Sequence, residues 1–109
     1  MDTDSILAAR KVARAQKAER DRYIHSLHVI AADALATGDQ SVRHRALEQV
    51  AKWELNSLCS SKYITAWRQI LDMSPAMMRA AMLRDDAEGV ALRQNTPFGF
   101  IAADTRKGT

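Results

Sequence analysis

This sequence predicts an all-α protein, a small bundle of four to five helices, on three observations. Alanine, leucine, methionine, arginine and glutamine are abundant, and these side chains lose little rotamer freedom in a helix. Helix breakers are scarce, with 4 glycines and 2 prolines among 109 residues. The few β-branched residues never alternate with polar ones over a strand-length run.

The first helix is expected from about Asp4 to Thr37, with Gly38 taking the left-handed position beyond its end. Its two halves differ. Arg10 to Arg22 is alanine-rich, carries six basic residues against Glu19 and Asp21, and has Val12 as its one large apolar side chain. That half has too little apolar surface to be held by burial, so residues 1–22 are expected to project as a basic arm. From Tyr23 onward, Tyr23, Ile24, Leu27, Ile30, Ala31, Ala34 and Leu35 recur at helical spacing and predict a broad core face.

Asp39 or Ser41 can cap a second helix running to about Ser57, with Leu47, Val50, Ala51 and Leu58 inward and Trp53 on the flank. Ser60 or Ser61 can cap a third, striped by Tyr63, Ile64, Trp67, Ile70 and Leu71. Ser74-Pro75 is a start signal for a fourth, because serine accepts from an orphan N–H and proline lacks one. Met77, Met78, Ala81 and Met82 then face one way. Asp85 or Asp86 opens a short fifth turn to about Arg93. Asn95 to Ile101 contains Pro97 and Gly99, so residues 95–109 are read as a non-helical tail. The organisation expected is therefore one domain over 1–109, with an arm (1–22), a helical core (23–94) and this tail.

Charge and cysteine content narrow the function classes. The net charge is +3, and residues 1–38, 39–73 and 74–109 each contribute +1. Charge spread this evenly permits a nucleic-acid partner without demanding one. Cys59 is the single cysteine, so no disulfide forms within the chain, which fits a reducing cytoplasm. Asp2 and Asp4 stand where a secretory signal would be basic, and no apolar run approaches the roughly 20 residues that cross a bilayer. A cytoplasmic protein with no membrane association is expected.

Few side chains form a chemical constellation. His25 and His28 at i and i+3, with His44 and Cys59 elsewhere, lack the spacing of any compact zinc module, and neither metal nor cofactor is expected. The histidines are read as partly exposed groups with ordinary hydrogen bonds. There is no phosphate-binding glycine loop, nucleophile elbow or H-E-x-x-H. Asp85 and Asp86 are adjacent, so on a helix they point apart and suit capping better than paired acid–base work.

One local pattern, Arg20-Asp21-Arg22-Tyr23-Ile24-His25, resembles the R-polar-x-x-x-H motif of the HEPN superfamily of helical ribonucleases. The resemblance covers six residues and implies an RNA-cleaving site in which Arg20 stabilises phosphate charge and His25 moves a proton. Read as residues alone, the same stretch is a solvated helix face with local ion pairs.

Two binding readings remain. The second and third helices could form a helix-turn-helix whose Lys62, Tyr63 and Arg68 reach a DNA groove while Ile64 and Trp67 anchor the back. Against it, Asn56 to Cys59 holds no glycine turn. The other reading starts from apolar excess in the C-terminal half. Met77, Met78, Met82, Phe98 and Phe100 are more than one short helix and a tail are expected to bury, so they are the expected contact surface for a protein partner or a second copy. The function expected is that of a small, non-catalytic, bacterial-type regulatory or inhibitor protein that binds a macromolecule, with protein the favoured class. An antitoxin-like or anti-defence role is its analogy, a helix-turn-helix DNA-binding regulator its alternative, and a HEPN-like ribonuclease the next.

Overall fold

Six helices follow one another in the computed structural model, which describes residues 3–107. They are α1 (Thr3–Ala36), α2 (Gln40–Asn56), α3 (Ser61–Leu71), α4 (Pro75–Met82), α5 (Ala87–Gln94) and α6 (Gly99–Lys107). No strand occurs among the described residues. The all-α fold and the long first helix are as the sequence predicts.

Local chemistry sets the boundaries. α1 stops where Gly38 adopts φ +82°, a backbone that L side chains rarely take. Asp39 caps α2 by accepting from the Ser41 and Val42 N–H groups, and the Ser41 hydroxyl, first, together with those N–H groups holds its carboxyl below the usual range. Ser74 accepts from the Met77 N–H ahead of Pro75, and Asp86 accepts from the Gly89 N–H at 2.8 Å. α2 ends with Ser57 at φ 53°, ψ 40°, so a serine does the left-handed work usually given to glycine.

α1 spans 34 residues, about 51 Å at 1.5 Å per residue, and accounts for most of the 54 Å length of the molecule. Its second half packs on α2, α4, α5 and α6. Leu27, Ala31, Ala32 and Leu35 face Ile64, Trp67, Ile70, Leu71, Met78, Met82, Leu92 and Phe98 in one continuous core. Alanine at 31, 32 and 46 lets helices approach closely there. Burying a side chain such as Leu71 or Phe98 completely contributes about 1.5–3 kcal/mol each. Arg79–Asp33 and Arg68–Glu54 ion pairs, each 2.6 Å, tie α4 to α1 and α3 to α2 at the surface.

Several sequence expectations need correction. The tail is not structureless. Residues 95–98 are non-helical, but Gly99 to Lys107 forms α6, because Pro97 and Gly99 separate two helices without preventing the second. The bundle thus has six helices where four to five are expected. Tyr23 and Ile30 point to solvent, while His28 and Ala32 take the inward positions on α1. On α2 the inward residues are Ala46 and Val50, and Ala51 and Leu58 are exposed. On α4, Met77 turns outward at 59% exposure while Met78 and Met82 are buried. Phe98 is also buried, so Met78, Met82 and Phe98 are core within a single chain and do not form an exposed contact surface. The interior is larger than the sequence suggests because α6 closes one side of it.

Candidate functional site

Three regions hold side chains beyond what the core needs. The first is the N-terminal half of α1. Every side chain from Thr3 to Arg20 is exposed except Ala18, which is half-buried. Helix propensity sustains this segment, with alanine at 8, 9, 13, 15 and 18. The arm leaves the body beside Asp21, whose carboxylate accepts from Gln94 of α5 at 3.3 Å. Arg10, Lys11, Arg14, Lys17, Arg20 and Arg22 form no ion pair among the described residues. The cations of the body differ. Arg43, Arg45, Arg68, Arg79 and Arg84 each face a carboxylate.

The second region joins α1, α3 and the α5–α6 connection. His28 is fully buried. Its Nδ1–H donates to the Ile24 carbonyl at 2.7 Å, and its Nε2 accepts from the Thr96 hydroxyl at 2.7 Å. The Thr96 oxygen in turn accepts from the Phe98 N–H. The ring stacks on Trp67 with centroids 5.9 Å apart and meets the edge of Phe98. Trp67 Nε1–H donates to the Asn95 carbonyl at 2.7 Å. Burial pushes the His28 pKa down to about 4; the bond to Ile24 opposes this, and nearby Arg93 and His25 add to it. His28 is therefore a neutral structural clamp that seats Asn95 to Phe98, and the expectation of partly exposed histidines fails for it. Arg93 is a second buried polar residue, donating to the Met82 and Arg84 carbonyls at the end of α4. Sequence reading missed both; the i, i+4, i+7, i+11 spacing of Ile24, His28, Ala31 and Leu35 on the inward face is the signal that could have found His28.

The third region is a groove of 390 Å³ between α3, α4 and α5. Ala66, Ala81, Ala87 and Ala91 make its walls shallow, Ile70 and Leu92 lie deeper, and Lys62 and Arg84 stand at its margin. Lys62 lies 5.7 Å from the Tyr63 ring centroid. No protein-family model, curated protein or solved structure matches this chain.

The residues singled out in the sequence divide accordingly. Lys62 and Tyr63 share the groove, but Arg68 is engaged with Glu54, which lies in α2. That pair holds the Glu54 carboxyl below its usual range and raises the Arg68 guanidinium. The three do not make one basic reading face. Phe100 is half-buried beneath the Arg45 guanidinium, 4.1 Å from its ring centroid, and Arg45 also pairs with Asp104. Of the apolar set, only Met77 is exposed. Arg20 and His25 are five residues apart on one helix, about 140° around it, and no hydrogen bond joins them among the described residues. His44 pairs with Glu48 at the surface, Cys59 is half-buried, and no group of three metal-binding side chains occurs among the described residues. Among the same residues no helix is long and apolar enough to cross a membrane.

Proposed function

We propose that this chain is a non-catalytic regulatory protein that acts by binding a macromolecule, and that the projecting half of α1 is its binding element. The observation that carries this reading is the arm itself: a run of exposed helix that adds nothing to the core. A helix of that length is marginal in water without tertiary support. Its side chains serve no packing role, so contact with another molecule is the role left to them. A photo-crosslinking residue placed at Val12 in cells tests this. Adducts to a macromolecule from Val12, absent from a control at Glu48 on α2, are the expected result. Adducts from the body alone would overturn it.

A second reading, protein binding in the manner of an inhibitor or antitoxin, is favoured by the groove between α3 and α5. Its alanine walls admit close approach of a partner's apolar side chain, and Ile70 and Leu92 supply the apolar surface beneath. Ala91→Arg fills that groove from its half-buried wall. Loss of a protein adduct in Ala91→Arg, with the fold intact, supports this reading; an unchanged adduct counts against it.

A further inference from the structure

We infer that the arm binds double-stranded DNA, laying its cations along the phosphates; this rests on the proposal that the arm is the binding element. The argument begins with where the charge lies. Residues 10–22 hold six of the sixteen Lys/Arg and two of the thirteen Asp/Glu, so this segment is +4 and the rest of the chain is −1. Division of the chain into thirds hides this, because Asp2, Asp4 and Asp33 fall into the same third as the arm's cations. In the fold the segregation is physical. Among the described side chains, five of the body's eight cations face a carboxylate, and the arm pairs none of these six.

The cations are also arranged against the helix's own interest. Arg10–Arg14, Lys11–Arg14, Arg14–Lys17 and Lys17–Arg20 are like-charge neighbours at i, i+3 or i, i+4. Each such pair destabilises a helix by about 0.2–0.5 kcal/mol. A polyanion laid beside them reverses that sign. Arg10 to Arg22 covers about 18 Å of helix axis, over which a DNA duplex presents about ten phosphates.

The arm's other side chains decide among polyanions. Ile6, Leu7 and Val12 are exposed but point in three directions about 100–140° apart. An amphipathic helix that enters an anionic membrane needs one apolar face, and a helix that docks in a protein groove needs an apolar seam. The arm has neither. Residues 3–22 contain no Phe, Trp or Tyr, so the base-stacking platform of a single-strand binder is missing there. Five alanines keep the helix slim enough for the roughly 12 Å major groove of B-DNA, whereas the A-form major groove of RNA is too narrow to admit it.

The experiment is fluorescence anisotropy of a short random-sequence DNA duplex, titrated with the full chain at several salt concentrations. With six phosphate contacts the slope of log K against log salt is about −5, so binding weakens about 10³-fold between 50 and 200 mM salt. Replacing Arg10, Arg14 and Lys17 together by alanine removes three contacts and flattens the slope by about 2.7. Arg10→Lys with Arg14→Lys, in a chain that keeps Lys17, retains the parent slope. Lys62→Ala with Arg68→Ala leaves the slope unchanged. The arm variant melts at the parent temperature, because none of its three residues touches the core. No binding of the parent at 50 mM salt, an arm variant with the parent slope, tighter binding to RNA or single strands, or binding to anionic lipid vesicles without binding to the duplex would each overturn the inference. If the Val12 crosslinks carry protein in place of DNA, the arm remains the binding element and only the choice of DNA falls.

Discussion

Acidification should loosen this fold through His28. Its pKa falls from 6.5 to about 4 on folding, chiefly because burial disfavours the charged ring. The folded protein therefore takes up its proton later than the unfolded chain as pH drops. The contribution is fully present above pH 6.5 and is lost between pH 6.5 and about 4. At 1.36 kcal/mol per pH unit, the difference amounts to about 3 kcal/mol. That corresponds to roughly 12–24 °C in melting temperature for a domain of this size. A protonated Nε2 becomes a donor, so the Thr96 hydroxyl can no longer donate to it and must turn to accept from both Nε2 and the Phe98 N–H. The assay is urea unfolding of the parent and of His28→Gln from pH 7 to pH 4. Carboxylates shared by both proteins, such as Asp39, Glu54 and Asp86, cancel in the difference. The parent should lose about 3 kcal/mol more than the variant over that range. A parent-minus-variant difference that stays flat, or a His28 ring that titrates near 6.5 by NMR, would refute the reasoning.

Three further outcomes follow from the geometry. Met78→Ala should cost about 2–5 kcal/mol of stability while Met77→Ala, one residue away but exposed, stays within about 0.5, as chemical denaturation of the pair will read. Gly89→Ala should destabilise despite alanine's better helix propensity, because a Cβ there would sit 2.2 Å from the Arg84 carbonyl, which Arg93 holds in place; a melting temperature equal to or above the parent's would contradict this. Incubation with labelled total RNA should leave it uncut, and cleavage that Arg20→Ala and His25→Ala both abolish would reinstate the nuclease reading.

Much of the architecture is legible because it rests on local rules. Ser74-Pro75, Asp86 and Gly38 mark helix ends by chemistry that involves only their neighbours in sequence. The arm is legible for the same reason, since the lack of an apolar face from Arg10 to Arg22 needs no tertiary knowledge. What failed depends on contacts distant in sequence. His28 and Thr96 are 68 positions apart, and neither residue alone announces the bond that buries the ring. That bond, with Trp67 holding the Asn95 carbonyl, seats Phe98 and aims α6 across the core. Without it, Met78, Met82 and Phe98 read as surplus surface. Gly89 and Arg93 are likewise unremarkable in sequence until the Arg84 carbonyl brings them together. The pairing of Arg45, Arg68 and Arg79 with carboxylates on other helices is also a tertiary fact, and it sets the arm's charge apart.

Amide hydrogen exchange, with and without a DNA duplex, tests the central claim that the arm binds and the body holds it. In the free protein, amides from Ile6 to Arg20 should exchange far faster than those of Leu27 to Leu35 and Ile64 to Leu71, since only the latter are packed. Added duplex should slow the Ile6 to Arg20 amides and leave the body unchanged. Protection that appears instead on α3, or an arm that exchanges as fast with DNA as without it, would contradict the account.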